Sequence, residues 1–321
     1  MDDRPEASRD ASSDAAAAAP PPPPPSHSSP PSNPKTLRSP PPAVSPLPSS
    51  AARLWRPAAQ RNLRNQWSKL ASCRQQWASA SSAGRSHATS LVNAHLSHRY
   101  VPSMELGVLK DMPNIRNKAC LKLFKQQELH KDKLLSAYKD MVTAVTYMVS
   151  ASRSMRCFLK GSNNSQLVQF SVGSEDTNDT GDGGGIPVVT FWSISSFENL
   201  AQELVEMFEL ELSLKRLLTK EFLIVGCEVL QPDQSSWSQE LYPGEFEDLS
   251  QCHLLTSKCE LLPPRLKGCM SDIPPEQGCS QLSRETLQVY LTTWLAEVNI
   301  DTHRVGEIFA IVGEEMHVNF Q

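Results

Sequence analysis

No aspartate or glutamate occurs between Ala15 and Met104, although ten lysines and arginines do. From residue 105 onward the balance reverses, with nineteen basic against thirty acidic residues. The chain therefore has a basic front and an acidic body, which a net charge of −4 conceals. An acid-free, Arg- and Ser-rich front resembles an organelle transit peptide, but Asp2, Asp3 and Glu6 at the start argue against that reading. No run of 18 apolar residues exists, so no membrane-spanning helix is expected. Aromatics are scarce at 7%, and 25 prolines gather mainly in the first 57 residues and between 232 and 275. Both features leave less material for a core than 321 residues would suggest.

Motifs for chemistry are missing too. No Gly-Lys-Ser/Thr follows Gly183-Gly184-Gly185, so a phosphate loop is excluded there. Twelve positions from Asp176 stands Pro187 rather than the glutamate that a calcium loop needs. Cysteines 252, 259, 269 and 279 are too widely spaced for a compact zinc site, even with His253 nearby. With no signal peptide in view, reduced thiols are the expectation. No nucleophile, base and acid stand in a recognisable arrangement, so neither catalysis nor a cofactor is expected.

Periodicity carries the positive information. Residues 1–57 read as a disordered Pro/Ala/Ser arm with Ser-Pro pairs at 29, 39 and 45 that allow proline-directed phosphorylation. From 58 to about 97, Leu63, Trp67, Leu70, Trp77, Gly84, Ala88 and Leu91 keep one stripe whose shrinking size predicts a close helix approach near Gly84. The opposite face, with Arg61, Arg64, Lys69 and Arg74, offers a phosphate-binding alternative. Between Asn114 and Lys160 there is neither Pro nor Gly, and Pro113 suits a first helical turn. Cys120, Phe124, Leu134, Tyr138, Met141, Val145, Met148, Met155 and Leu159 alternate by threes and fours as in a coiled coil, interrupted by Gln127 and Lys131. Residues 161–189 read as a flexible spacer around a short apolar alternation, Leu167 to Phe170.

The strongest pattern lies between 190 and 225. Ser195 and Glu198 have capping-box spacing. Phe197, Leu200, Ala201, Leu204, Phe208, Leu212, Leu218 and Phe222 follow at the helical period. Residues 231–283 read as a disordered insertion in which Trp237, Leu241, Tyr242, Phe246 and Leu249 alternate with acids, either a binding element or chain draped over the bundle. Leu287 to Val298 and Val305 to Met316 make two amphipathic helices, the second capped by Asp301, forming a hairpin over 284–318. The expected fold is all-α: an elongated bundle or coiled-coil hairpin over 58–230, closed by a small C-terminal helix pair.

Trp192, Glu206-Met207-Phe208, Glu211-Leu212, Leu214-Lys215-Arg216 and Lys220-Glu221 form a block that resembles the cyclin-dependent kinase 2-interacting protein family. Weaker patches are Leu287, Tyr290, Leu291, Trp294 and Leu295, and Trp77 with Ala83-Gly84 and Asn93. The resemblance spans about half of the chain in three blocks. It implies a non-catalytic nuclear adaptor, also cytoplasmic, that contacts cell-cycle kinases, checkpoint and replication factors, and AAA+ ATPases. The Pro-rich arm and the insertion before the last helices depart from the family pattern. Glu211, Lys215, Arg216 and Lys220 become the candidate partner-binding residues, on the premise that they face outward. Trp77, Trp192, Phe208 and Trp294 become candidate structural anchors. Alternatives are a structural coiled-coil subunit of a spindle or cytoskeletal complex, self-associating through the 134–159 seam, and a nucleic-acid binder using the basic front.

Overall fold

The computed structural model describes residues 49–160, 169–173, 179–226, 239–255, 261–262, 264 and 283–320. Residues 1–48 with their Ser-Pro pairs, Trp237, and cysteines 227, 259, 269 and 279 lie outside the described residues. The fold is all-α. Its helices are α1 (Ser49–Tyr100), α2 (Ile115–Arg153), α3 (Ile194–Leu223), α4 (Glu245–Gln251), α5 (Arg284–Ala296) and α6 (Thr302–Met316). One small antiparallel ribbon, β1 (Phe158–Lys160) with β2 (Gln169–Ser171), sets Leu159 opposite Phe170.

Helix α1 is continuous and begins nine residues before the expected boundary at 58. Pro57 lies inside it. A proline there removes one backbone hydrogen bond, and the burial of neighbouring Trp55 offsets the loss. Trp55 Nε1 donates to the Cys157 carbonyl at 2.8 Å, and the ring lies so close to Gly183 that a Cβ there would stand 2.4 Å from it. The φ of +71° at Gly183 independently disfavours a side chain. The proline-rich composition hid this anchor. The stripe expected behind it is buried throughout, from Leu63 and Trp67 through Trp77 to Ala88 and Leu91.

Helices α1 and α2 pair antiparallel. Asn62 Nδ2 donates to the carbonyls of Ser154 and Met155 at 2.8 and 3.0 Å, while further along the rings of His87 and His130 lie 5.7 Å apart. The seam from Leu134 to Met155 is fully buried, so it is core and not a free surface for self-association. At the other end the expected seam fails: Phe124 is exposed and Cys120 is only half-buried. Gln127 is buried there as a polar layer beside His95 and Gly226. Helix α2 starts at Ile115 after a left-handed Asn114, which leaves Pro113 outside it, and ends at Arg153 rather than running to Lys160.

The segment read as a flexible spacer is partly built into the body. Gln60 Nε2 and Arg56 Nε donate to the Val188 carbonyl at 2.7 and 3.0 Å, and the Cys157 N–H donates to the Gly181 carbonyl at 3.0 Å. Helix α3 then packs its apolar stripe on α1 and α2, with Phe197, Leu204, Phe208, Leu212 and Phe222 all buried. The expected capping box does not form. Ser193 is the N-cap residue, and Glu198 instead holds Arg156 through two bonds of 2.8 and 3.0 Å.

Residues 239–255, expected as disordered insertion, are folded as well. They drape Tyr242, Leu249 and Leu254 onto the core through α4. The closing hairpin is as expected. Asp301 accepts from the Arg304 N–H at 3.0 Å, and α6 buries Val305, Ile308, Phe309, Val312 and Met316. The close approach at Gly84 is also found: a side chain there would place its Cβ 2.5 Å from the Trp294 ring of α5. No helix among the described residues is long and apolar enough to cross a membrane.

Candidate functional site

Helix α3 carries the residues singled out from sequence, and its neighbours turn them into two buried ties. Lys215 and Glu211 are one turn apart, which puts them on the same side of the helix. That side faces inward, and both side chains are completely shielded from solvent. The Lys215 ammonium lies 3.3 Å from Glu211 and 3.7 Å from Glu297, and 4.7 Å above the Trp294 ring. It also donates to the Trp294 carbonyl. Glu211 accepts from both the backbone and side-chain nitrogens of Asn299, at 3.1 and 3.2 Å. Glu297, in a left-handed conformation at the end of α5, accepts from Ser81 Oγ at 2.5 Å and Trp77 Nε1 at 3.3 Å. One ammonium thereby joins α1, α3 and the α5–α6 turn. Burial draws the Lys215 pKa down against the pull of Glu211 and Glu297, and draws Glu211 up against the pull of Lys215.

The second tie centres on Arg216. Its guanidinium grips Glu245 of α4 with two bonds of 2.8 and 3.0 Å and donates to the Gln239 carbonyl at 2.8 Å. Glu245, also fully buried, accepts from the Tyr138 hydroxyl of α2 at 2.7 Å and from the Leu241 N–H at 2.7 Å. Burial, and then the Glu245 charge, pushes the Tyr138 phenol well above its usual range. Planar two-point pairing suits arginine, whereas the three-way clasp next door suits the compact ammonium of lysine.

These positions correct the premise of an outward-facing Lys215-Arg216 pair. Glu211, Lys215 and Arg216 are interior braces, and only Lys220 is partly open to solvent. Trp77, Phe208 and Trp294 are buried. The rings of Trp77 and Phe208 meet edge to face at 5.3 Å. Trp192 is half-buried against Phe197, while Glu315 of α6 accepts the backbone N–H groups of Thr190, Phe191 and Trp192. Sequence reading missed Glu245, Glu297, Asn299 and Ser81. All lie far along the chain from their partners, and no local pattern marks them.

The open chemistry lies elsewhere, at the α1–α2 end. Met104, Val108, Met112, Leu121, Phe124 and Leu129 are all exposed there, Val108 to 95%. Within the seam beneath them His87, His95 and His130 each have a lowered pKa. Burial is the first cause for each, followed by nearby cations: Lys133 at His87, Arg99 at His95, and His87 with Lys133 at His130. Protonation is therefore easier in the unfolded chain than in the fold. The stability these rings contribute is complete above the ordinary histidine value of 6.5 and is lost as pH falls below it. Thermal unfolding followed from pH 7.5 to 5 should show a falling midpoint, with a shallower fall in His87→Gln/His130→Gln. Equal slopes in both proteins would contradict this.

On the basic face of α1, Arg64 Nη2 donates to the Met316 carbonyl at 3.5 Å and Arg74 lies 4.8 Å from the Phe309 ring. Of the four cations expected on this phosphate-binding face, Arg61, Arg64 and Lys69 are exposed and Arg74 is half-buried. No group of three or more potential metal ligands occurs among the described residues. No protein-family model and no curated protein matches the chain.

Proposed function

We propose that this protein is a non-catalytic adaptor of nuclear cell-cycle, replication and genome-maintenance complexes, with AAA+ ATPases among its partners. The observation that carries this reading is the division of labour between the two regions just described. Glu211, Lys215 and Arg216 of the family-like block are consumed in holding five helices together, while large apolar side chains stand open at the α1–α2 end. The large apolar side chains exposed between residues 104 and 129 offer a surface for protein association. The resemblance of the α3 block to the cyclin-dependent kinase 2-interacting protein family supplies the identity of the partners and the nuclear setting.

Affinity purification from dividing cells, followed by mass spectrometry, tests the proposal. Wild-type protein should recover cell-cycle kinases, replication or checkpoint factors, and AAA+ ATPases. Met104→Ser/Val108→Ser/Met112→Ser should lose them with an unchanged circular dichroism spectrum, because these side chains support no core. Exclusive recovery of spindle or cytoskeletal proteins would favour a structural subunit instead. Steeply salt-dependent nucleic-acid binding by the full chain would favour a role for the basic front.

A further inference from the structure

The exposed face of α2 reads the same in both directions, with charges reversed. Lys118, Leu121, Lys122, Lys125, Glu128, Leu129 and Asp132 are all exposed, Leu121 to 56% and Leu129 to 49%. Their spacing of three, one, three, three, one and three places them on a single helix face, the a, d and e positions of two heptads. The spacing is symmetric about Lys125. Turned end for end about that residue, a second copy sets Asp132 opposite Lys118, Leu129 opposite Leu121 and Glu128 opposite Lys122. Each of these pairs occurs twice, as a two-fold interface requires.

We propose that this face is a self-complementary docking surface for a second copy of the same chain, paired antiparallel through α2 about Lys125. Antiparallel order is set by charge, since parallel pairing would oppose lysine to lysine and aspartate to aspartate. Glu128 already holds Lys131 at 3.0 Å within its own chain, but its side chain remains half-exposed and can accept a second cation. Phe124, exposed beside the axis, adds apolar area. Two like-charged Lys125 side chains meet at the centre, and the paired faces are only four turns long. The buried area therefore lies below the ~1,200 Å² of a standard interface, which makes the dimer reversible and salt-sensitive.

Sedimentation equilibrium of the full chain at low and high salt tests this. Wild type should show a monomer–dimer equilibrium that weakens with salt. Lys118→Glu/Lys122→Glu should be monomeric, as should Glu128→Lys/Asp132→Lys, since each opposes like charges across the axis. An equimolar mixture of the two should associate again, because one chain then presents only acids and the other only bases at these four positions. Lys125→Leu should tighten association about tenfold by removing the central repulsion. All these residues are exposed, and circular dichroism should confirm unchanged folding. A wild type that is monomeric at every concentration would overturn the proposal. So would mixed variants that fail to associate, or a Lys125→Leu variant that dimerises no better. Binding of Lys118→Glu/Lys122→Glu to anionic vesicles or acidic peptides would not count for it; loss of such binding with the wild type monomeric would assign the face to those ligands and sink the dimer.

Discussion

A chain carrying Lys215→Glu and Arg216→Glu is expected not to fold. Each replacement places a carboxylate where a cation now neutralises acids: buried Glu211 and half-buried Glu297 around position 215, and buried Glu245 beside position 216. Removing one partner of a buried pair already costs about 3–5 kcal/mol, because the remaining charge has neither water nor counter-ion. Two such losses, each made worse by charge reversal, meet or exceed the roughly 5–15 kcal/mol that holds a typical domain together. Circular dichroism and size exclusion should show loss of the cooperative transition and an expanded or aggregated chain. Arg216→Leu with Glu245→Leu should fare far better, since replacing both members by apolar groups removes the stranded charge. It leaves the Tyr138 hydroxyl and the Leu241 N–H without their acceptor, at about 1–3 kcal/mol each. A double-glutamate protein that melts like wild type would mean that both side chains reach solvent.

That expectation inverts the one drawn from sequence, and the inversion has a physical cause. Lysine and arginine are almost never fully buried unless paired, so a charged pair in a helix defaults to the surface. The default fails when partners arrive from distant segments. Arg216 meets Glu245 across 29 residues and Lys215 meets the Trp294 carbonyl across 79, separations that periodicity cannot register. The apolar half of α3 was legible because burial of Phe197, Leu204, Phe208, Leu212 and Phe222 imposes a 3.6-residue repeat on the helix itself. The α1 stripe and the α5–α6 hairpin were legible for the same reason. Composition misled in two places: Pro57 and its proline-rich approach hid the burial of Trp55, and Pro243-Gly244 among acids hid the α4 turn that carries Glu245. The seam of α2 was legible only as far as a partner faces it. Beyond His130, where Phe124 and Leu121 turn outward, the same three-four pattern continues on a face that none of the described residues covers.

Trp294→Ala should cost about 3–5 kcal/mol, measured by urea unfolding, through the cavity that the ring leaves behind. The ring is 1% exposed, packs 6.3 Å from Phe222 and sits under the Lys215 ammonium, and its Nε1 donates to the Ser81 carbonyl at 3.0 Å. Losing it therefore also removes a second donor from the Ser81 carbonyl, which keeps its bond within α1, and strips one wall from the Lys215 tie. A second substitution separates close packing from general weakening. Gly84→Ala in the wild-type protein should destabilise by about 1–3 kcal/mol, because the new Cβ would stand 2.5 Å from the ring. In the Trp294→Ala background that obstacle is gone. The same substitution should then stabilise by up to about 1 kcal/mol, the helix preference of alanine over glycine. The reversal of sign is the diagnostic result, since it requires the α5 ring to press directly on α1. Gly84→Ala effects of equal sign in both backgrounds, or a Trp294→Ala loss below about 1 kcal/mol, would place the ring away from Gly84 and remove the closing contact between α1 and the C-terminal hairpin.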